Sequence, residues 1–339
     1  MTVPLLKNSD AGLILGYAFA PGQPPRELGW QDCMEADPTP PDGFLWLHLN
    51  VAMQKTKHWL SGPAALPEAA VEALLDNDGH SHMVLSPNGF LLTLNDLNAS
   101  LEGERDGEAI GSLRVWVDRK RVITVRRRPK MATQRLHAAI EAGNVPDSSI
   151  ALFLELMEAV ADNLGRVTND LLRQIDAAED AFLAGRTQGL RQRLGALRRE
   201  AVTLYRLVAP DRQAIGRLHV RLHHWLEPDE LEILRQAFDD ISALADDVRE
   251  AQDRAKVLQE EFAALLAEET NRNLYTLSIA SVVLLPMTLV TGYFGMNTGS
   301  LPFGMDHADG TLMATVIMMA VGIITGLWVH LYFRGNRRS

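Results

Sequence analysis

The stretch LSIASVVLLPMTLVTGYF, from Leu277 to Phe294, contains no charged residue, and LMATVIMMAVGIITGLWVHLYF, from Leu312 to Phe333, contains only His330 as a group whose ordinary titration range is near neutral pH. A helix needs about 20 predominantly apolar residues to cross a hydrocarbon core ~30 Å thick, and both stretches meet that need. A buried hairpin in a water-soluble core is the alternative, but uncharged runs of this length favour the bilayer. Tyr293, Trp328 and Tyr332 lie near the ends, where interfacial aromatics belong. The tail carries Arg334, Arg337 and Arg338, whereas the connection from Gly295 to Thr311 has neither Lys nor Arg. By the positive-inside rule both ends of this hairpin are cytoplasmic and the connection faces outward. Both termini are then expected inside, in a multi-pass protein of the cell inner membrane.

Upstream, no Gly or Pro interrupts the chain between Pro228 and Pro286. These ~57 residues at 1.5 Å each predict a rod of roughly 85 Å, charged and heptad-like at first, then apolar. Asp147 and Ser148 are N-cap residues for a helix predicted over Ser149–Leu183, ending at Gly185, and another is expected from about Gln188 past Pro210 toward Trp225. Before Pro146 the texture changes. GFLWLHLN ending at Asn50, GFLLTLNDL from Gly89 and SLRVWVDRKRVITVRR from Ser112 alternate as strands, with a hairpin turn at Asp118-Arg119-Lys120. Pro67–Asn77 reads as a short helix opened by proline. The expected fold class is an α+β membrane protein. It comprises an N-terminal cytoplasmic α/β domain (1–146), a helical and stalk region (147–273), a first transmembrane helix (274–294), an outer, periplasmic loop (295–311), a second transmembrane helix (312–333) and a basic cytoplasmic tail (334–339). Strand order is not legible at this level.

The 339 residues carry a net charge of -10 and a mean hydropathy of -0.05, an average that hides the apolar last quarter. The acidic balance argues against a nucleic-acid partner, which needs clustered Lys and Arg. The single cysteine, Cys33, excludes an intrachain disulfide and paired-thiol chemistry. The N-terminus lacks a basic segment followed by an apolar one, so no cleaved secretory signal is expected. There is no GxxxxGK, GxGxxG or HExxH, so nucleotide hydrolysis and other enzyme chemistry are not expected, and neither is a resident cofactor.

Within the first apolar stretch, Asn271, Leu274, Ser278, Ser281, Leu285, Thr288, Gly292 and Gly295 recur at alternating spacings of 3 and 4. They fall on one slowly drifting stripe, richer in polar and small residues than the face that carries Val283, Met287 and Val290. Such a stripe is either a close helix contact or the wall of a water-filled path, with Leu274 and Leu285 as apolar constrictions. One stripe cannot enclose a path, so the second reading requires several copies of the chain.

At the outer end of that helix stand Gly295, Met296 and Asn297, followed by Thr298-Gly299-Ser300-Leu301-Pro302. Gly-Met-Asn after the first of two C-terminal spans, behind a long charged helix, resembles the signature of the CorA superfamily of divalent metal ion transporters. The continuation is similar to the glycine-rich loop of its ZntB-like zinc transporter branch, with Ser300 where that pattern has its second glycine. The resemblance implies a homopentameric funnel in membrane lipid and transport of a divalent cation, zinc first and with protons as a coupling ion. A magnesium, cobalt or nickel channel is the alternative within the superfamily, and a membrane-anchored signalling or scaffold protein the alternative outside it. It also implies that Gly295, Met296 and Asn297 form the outer mouth. There, neutral amide and carbonyl oxygens hold an ion, Asn297 through the ion's hydration water. Other possible metal contacts are Asp306, His307 and Asp309 in the loop, His219 and His223 four residues apart on a predicted helix, and Asp239 and Asp246 on the stalk. For each, a solvated polar surface is the plain alternative.

Overall fold

The structure, a computed structural model, describes residues 12–35, 38–76, 83–97, 110–222, 225–295 and 310–336. In chain order these form β1 (Leu13–Phe19), β2 (Arg26–Glu27), α1 (Trp30–Glu35), β3 (Phe44–Asn50), α2 (Gln54–Ser61), α3 (Glu68–Leu75), β4 (Met83–Ser86), β5 (Gly89–Leu97), β6 (Ile110–Asp118), β7 (Arg121–Arg126), α4 (Met131–Glu141), α5 (Ser149–Leu183), α6 (Leu190–Arg221), α7 (Pro228–Phe294) and α8 (Gly310–Asn336).

The strands make a 7-stranded sheet in the order β2-β1-β3-β7-β6-β5-β4. Alternating Val and Ile in β6 and β7 pair Val115 with Thr124 and Val117 with Val122 across the expected turn, where Lys120 N–H donates to Asp118 Oδ1 at 3.0 Å. Only β3 and β7 run parallel, with Leu47 opposite Ile123 and Leu49 opposite Val125. Both strands are buried on both faces, as parallel strands usually are. One face packs Trp46, Phe90, Val115 and Val122 against Phe153, Leu156 and Val160 of α5, Ile215 and Leu218 of α6, and Leu234 and Ile241 of α7. The other packs Leu47, Leu91, Trp116 and Ile123 against Trp59 and Leu60 of α2 and Ala70 and Leu74 of α3. The strand-rich segment before Pro146 and the helices after it therefore share one core.

Local chemistry explains the helix limits. Ser148 caps α5, its hydroxyl accepting from Ala151 N–H at 3.0 Å. Gly189 opens α6 with φ 71°, a left-handed conformation that suits glycine. Helix α6 continues through Pro210, which has no N–H to offer the Arg206 carbonyl four residues earlier and crowds the turn before it. Strand β5 binds the adjoining turn. Asn95 Nδ2 donates to the Leu207 carbonyl at 3.1 Å and to Asp211 Oδ1 at 3.0 Å, and Asn95 N–H donates to Asp211 Oδ2 at 3.0 Å. Asp211 is fully buried, so this carboxylate fixes α6 against the sheet.

The chain divides into two compact units after Gln259, and α7, 67 residues long, contributes to both. In the first unit α7 buries Leu234, Ala237, Ile241, Leu244, Val248, Ala251, Ala255 and Leu258, a 3-4 repeat that matches the heptad-like reading. In the second, α7 continues through Pro286 to Phe294. Helix α8 begins at Gly310 and ends at Asn336, reaching past both limits expected from hydropathy, because backbone hydrogen bonding does not stop where the apolar run does. Both helices are long and apolar enough to cross a membrane, with mean hydropathies of 1.8 and 2.0 over their best windows.

Candidate functional site

The second unit sorts the faces of α7 by what they touch. Ile279, Val283, Pro286, Met287 and Val290 are half-buried, and so are Ala314, Ile317, Met318, Val321, Thr325 and Gly326 of α8, with Gly322 fully buried. These positions form the seam between the two helices. A Cβ at Gly322 would lie 1.9 Å from Met287 Cε, so the methionine occupies the space that glycine leaves. Gly322 thus supplies the small residue that lets the two helices meet, as at close contacts between membrane helices, whereas a Cβ at Gly326 would meet nothing within 4 Å. Sequence reading passed over this seam, and Gly322 was its local signal.

The stripe lies on the opposite side. Asn271, Leu274, Ser278, Ser281, Leu285, Thr288 and Gly292 are all exposed, Leu274 at 55% and Leu285 at 70%. A Cβ at Gly292 would meet nothing within 4 Å. Within one chain, then, the stripe is not the contact with α8. Gly295 follows the last helical turn, its N–H donating to the Thr291 carbonyl at 2.9 Å. Met296 and Asn297, with Asp306, His307 and Asp309 of the loop, lie outside the described residues.

Two hydroxyls of the stripe, those of Ser281 and Thr288, have a defined polarity. Ser281 Oγ donates to the Leu277 carbonyl at 2.9 Å and Thr288 Oγ1 to the Leu284 carbonyl at 2.8 Å. Each proton is committed to the helix backbone four residues earlier, so each oxygen offers only lone pairs to its surroundings. A hydrated cation turns the hydrogens of its water shell outward, and acceptor oxygens suit that shell. An anion would ask for donors instead.

In the first unit the acidic candidates on the stalk are engaged by arginines of the same chain. Asp239 accepts from Arg235 Nη1 at 2.9 Å and Asp246 from Arg212 Nη1 at 3.2 Å. Arg254 similarly joins Asp176 and Glu179 of α5 at 2.6 and 2.8 Å. Exposed pairs of this kind contribute little to stability, but they occupy the carboxylates. His219 is half-buried in the last turn of α6, and its expected companion His223 lies outside the described residues. Among the described residues no three His, Cys, Asp or Glu side chains converge as a metal-binding group.

The sheet also holds a polar centre that sequence reading passed over. The fully buried Asp96 carboxylate accepts from Ala132 N–H at 2.9 Å and from Asn163 Nδ2 at 3.1 Å, and Lys130 Nζ donates to the Asp96 carbonyl at 3.2 Å. Burial pushes the Asp96 carboxyl up and the Lys130 ammonium down to about 8. His48, held by Thr124 Oγ1 at 2.8 Å, is driven well below its ordinary value by burial and the neighbouring Arg126 charge. Asp96 and Lys130 join β5 to the start of α4 and to α5 through these bonds.

Comparison with known proteins agrees with this architecture. The divalent cation transporter CmaX of Pseudomonas aeruginosa is 29% identical over 323 residues, 95% of this chain and 96% of that one. The zinc transport protein ZntB of Pectobacterium carotovorum is 27% identical over 282 residues, covering 83% of this chain and 84% of the relative. The solved structure of full-length CmaX superposes with a TM-score of 0.80 at 27% identity, covering 97% of this chain and 99% of that one. The description "CorA-like Mg2+ transporter protein" matches residues 41–334, which takes in strands β3 to β7, the long helix α7 and nearly all of α8, and the chain belongs to that family.

Proposed function

We propose that this chain carries divalent cations, zinc foremost, across the inner membrane. The path lies at the axis of a homopentamer, between copies of the stripe on α7. The observation that carries this reading is the division of faces on α7. Apolar residues meet α8 within the chain, while the hydroxyl-bearing stripe is left over with its oxygens presented as acceptors. Leu274 and Leu285 close the path by dewetting when their rings narrow, and Gly295, Met296 and Asn297 shape the outer mouth, where the ion keeps its water shell. Zinc as cargo is supported by the name of the ZntB relative, and the wider divalent range by the names of CmaX and of the family. The pentamer follows from the family resemblance, and cytoplasmic termini from the arginines of the tail. A proton gradient across the same membrane is the proposed coupling force.

Purified full-length protein in zinc-loaded liposomes tests this reading. Expected results are metal movement that responds to an imposed pH gradient, its loss in Asn297→Ala, and aqueous labelling of cysteines placed at Ser278, Ser281 and Thr288. A monomeric or dimeric particle that moves no metal under any ion or proton gradient overturns it.

A further inference from the structure

A second feature of the first unit is unrelated to the stripe. A cavity of about 860 Å3 opens beside the turn between β6 and β7. Its floor is apolar, made by Leu45, Leu47 and Trp59, each more than nine-tenths buried. Its rim carries Arg119, Lys120 and Trp225. A volume of this order, with an apolar floor and a few polar groups at the edge, matches small-molecule sites.

The charges of the cavity do not cancel. Asp118 is the only carboxylate among its described lining residues, and it is fully engaged. It accepts from Arg121 Nε at 2.7 Å, from Trp116 Nε1 at 3.0 Å and from Lys120 N–H at 3.0 Å. Burial pushes the Cys33 thiol, also in the lining, up to about 11, so it stays neutral. Arg119 lies over the Trp225 ring at 4.7 Å and donates to the Trp225 carbonyl, and no described carboxylate pairs with it or with Lys120. Among the described residues, two positive charges thus stand uncompensated at one mouth of a protein whose net charge is -10. The rim is also strained. Arg121 Nη1 donates to the Ala64 carbonyl at 2.8 Å, and the next residue, Ala65, takes φ 48°, a left-handed conformation that a Cβ disfavours. Strain of this kind gathers where a site is held in shape for a ligand.

We propose that this cavity binds a small phosphomonoester, with Lys120 and Arg119 meeting the dianion and Leu45, Leu47 and Trp59 receiving its apolar body. Two unpaired cations match two negative charges, and the floor asks for carbon rather than for a bare ion. Trp225 is anchored edge-on against Phe90 of the core at 5.6 Å and lies in the connection just before Pro228, so an occupant touches the segment from which α7 starts.

The test is calorimetric titration of the full chain in detergent with phenyl phosphate, inorganic phosphate and phenol. It stands apart from any transport measurement. Saturable binding of phenyl phosphate is expected, at least about ten-fold tighter than either of its parts, and weakening as salt rises. Lys120→Ala should weaken it about ten-fold or more, with Lys120→Arg retaining it, since both charges must be present. Lys120 is exposed, so melting curves of these variants should overlay that of the native chain. Absence of saturable heat up to about 10 mM phenyl phosphate, or equal affinities for Lys120→Ala and the native chain, overturns the proposal. Equal affinity for inorganic phosphate overturns the role given to the apolar floor.

Discussion

Thr288→Val separates shape from chemistry on the stripe of α7. Valine keeps the branched volume of threonine and deletes only the oxygen. The helix tolerates this because the Leu284 carbonyl, which accepts from Thr288 Oγ1 at 2.8 Å, lies inside a continuous α-helix and has the backbone N–H of Thr288 as well. What disappears is one acceptor per copy on the proposed path. A hydrated ion touching about two such oxygens in a ring, at ~0.5–1.5 kcal/mol each, would lose ~1–3 kcal/mol of stabilisation at that level. If passage there limits the rate, transport slows by about 5- to 150-fold. Zinc flux into dye-loaded liposomes measures this, with Thr288→Ser expected to restore the rate. Thr315→Val is the control, because Thr315 makes the same bond to the Thr311 carbonyl at 2.8 Å but stands on α8. Equal flux through Thr288→Val and the native chain, or equal slowing by Thr315→Val, would refute the acceptor argument.

Two further expectations concern the first unit. Asp211→Ala removes two hydrogen bonds to a buried carboxylate and leaves the Asn95 N–H without this acceptor, so destabilisation of ~3–5 kcal/mol is expected in thermal or urea unfolding; a loss below ~1 kcal/mol would contradict the role given to this contact. The Lys130 ammonium is lowered from 10.5 to about 8 by burial, so the unfolded chain holds that proton more tightly. Its contribution to stability therefore rises as pH climbs from about 8 toward 10.5, by ~3 kcal/mol in total. Unfolding at pH values from 8 to 10 should show a shallower rise for Lys130→Met, and measurements should stop at 10, where Tyr17, pushed up to about 12, begins to oppose the trend; parallel profiles for the two proteins would contradict the assignment.

Much of this arrangement was legible because the signals are local. The caps at Ser148 and Gly185 bound α5, the alternation around Asp118 gives the β6–β7 hairpin, and uncharged length gives the two apolar helices. What sequence reading left out depends on partners far along the chain. The strand β1, LILGYAF, is not singled out by sequence alone, since what makes it a strand is pairing with β3. The parallel pair of β3 and β7 joins residues about seventy-six positions apart, such as Leu47 and Ile123, with three strands and two helices between them. The fate of Asp246 was hidden for the same reason, because its partner Arg212 stands on another helix, whereas Asp239 meets Arg235 only four residues before it. On the stripe, spacing alone placed the residues on one face. It could not say which face α8 covers, and that required the fit of Met287 against Gly322.

The tie between β5 and the turn at Pro210 has a consequence in time as well as in space. The donor that serves the Leu207 carbonyl sits on a strand more than a hundred residues earlier, at a separation of 112 positions. During synthesis that strand leaves the ribosome well before the proline does, so the amide stands ready when the defective turn emerges. The middle of this helix is therefore expected to settle late, by docking onto an existing surface, and its ends to wind first.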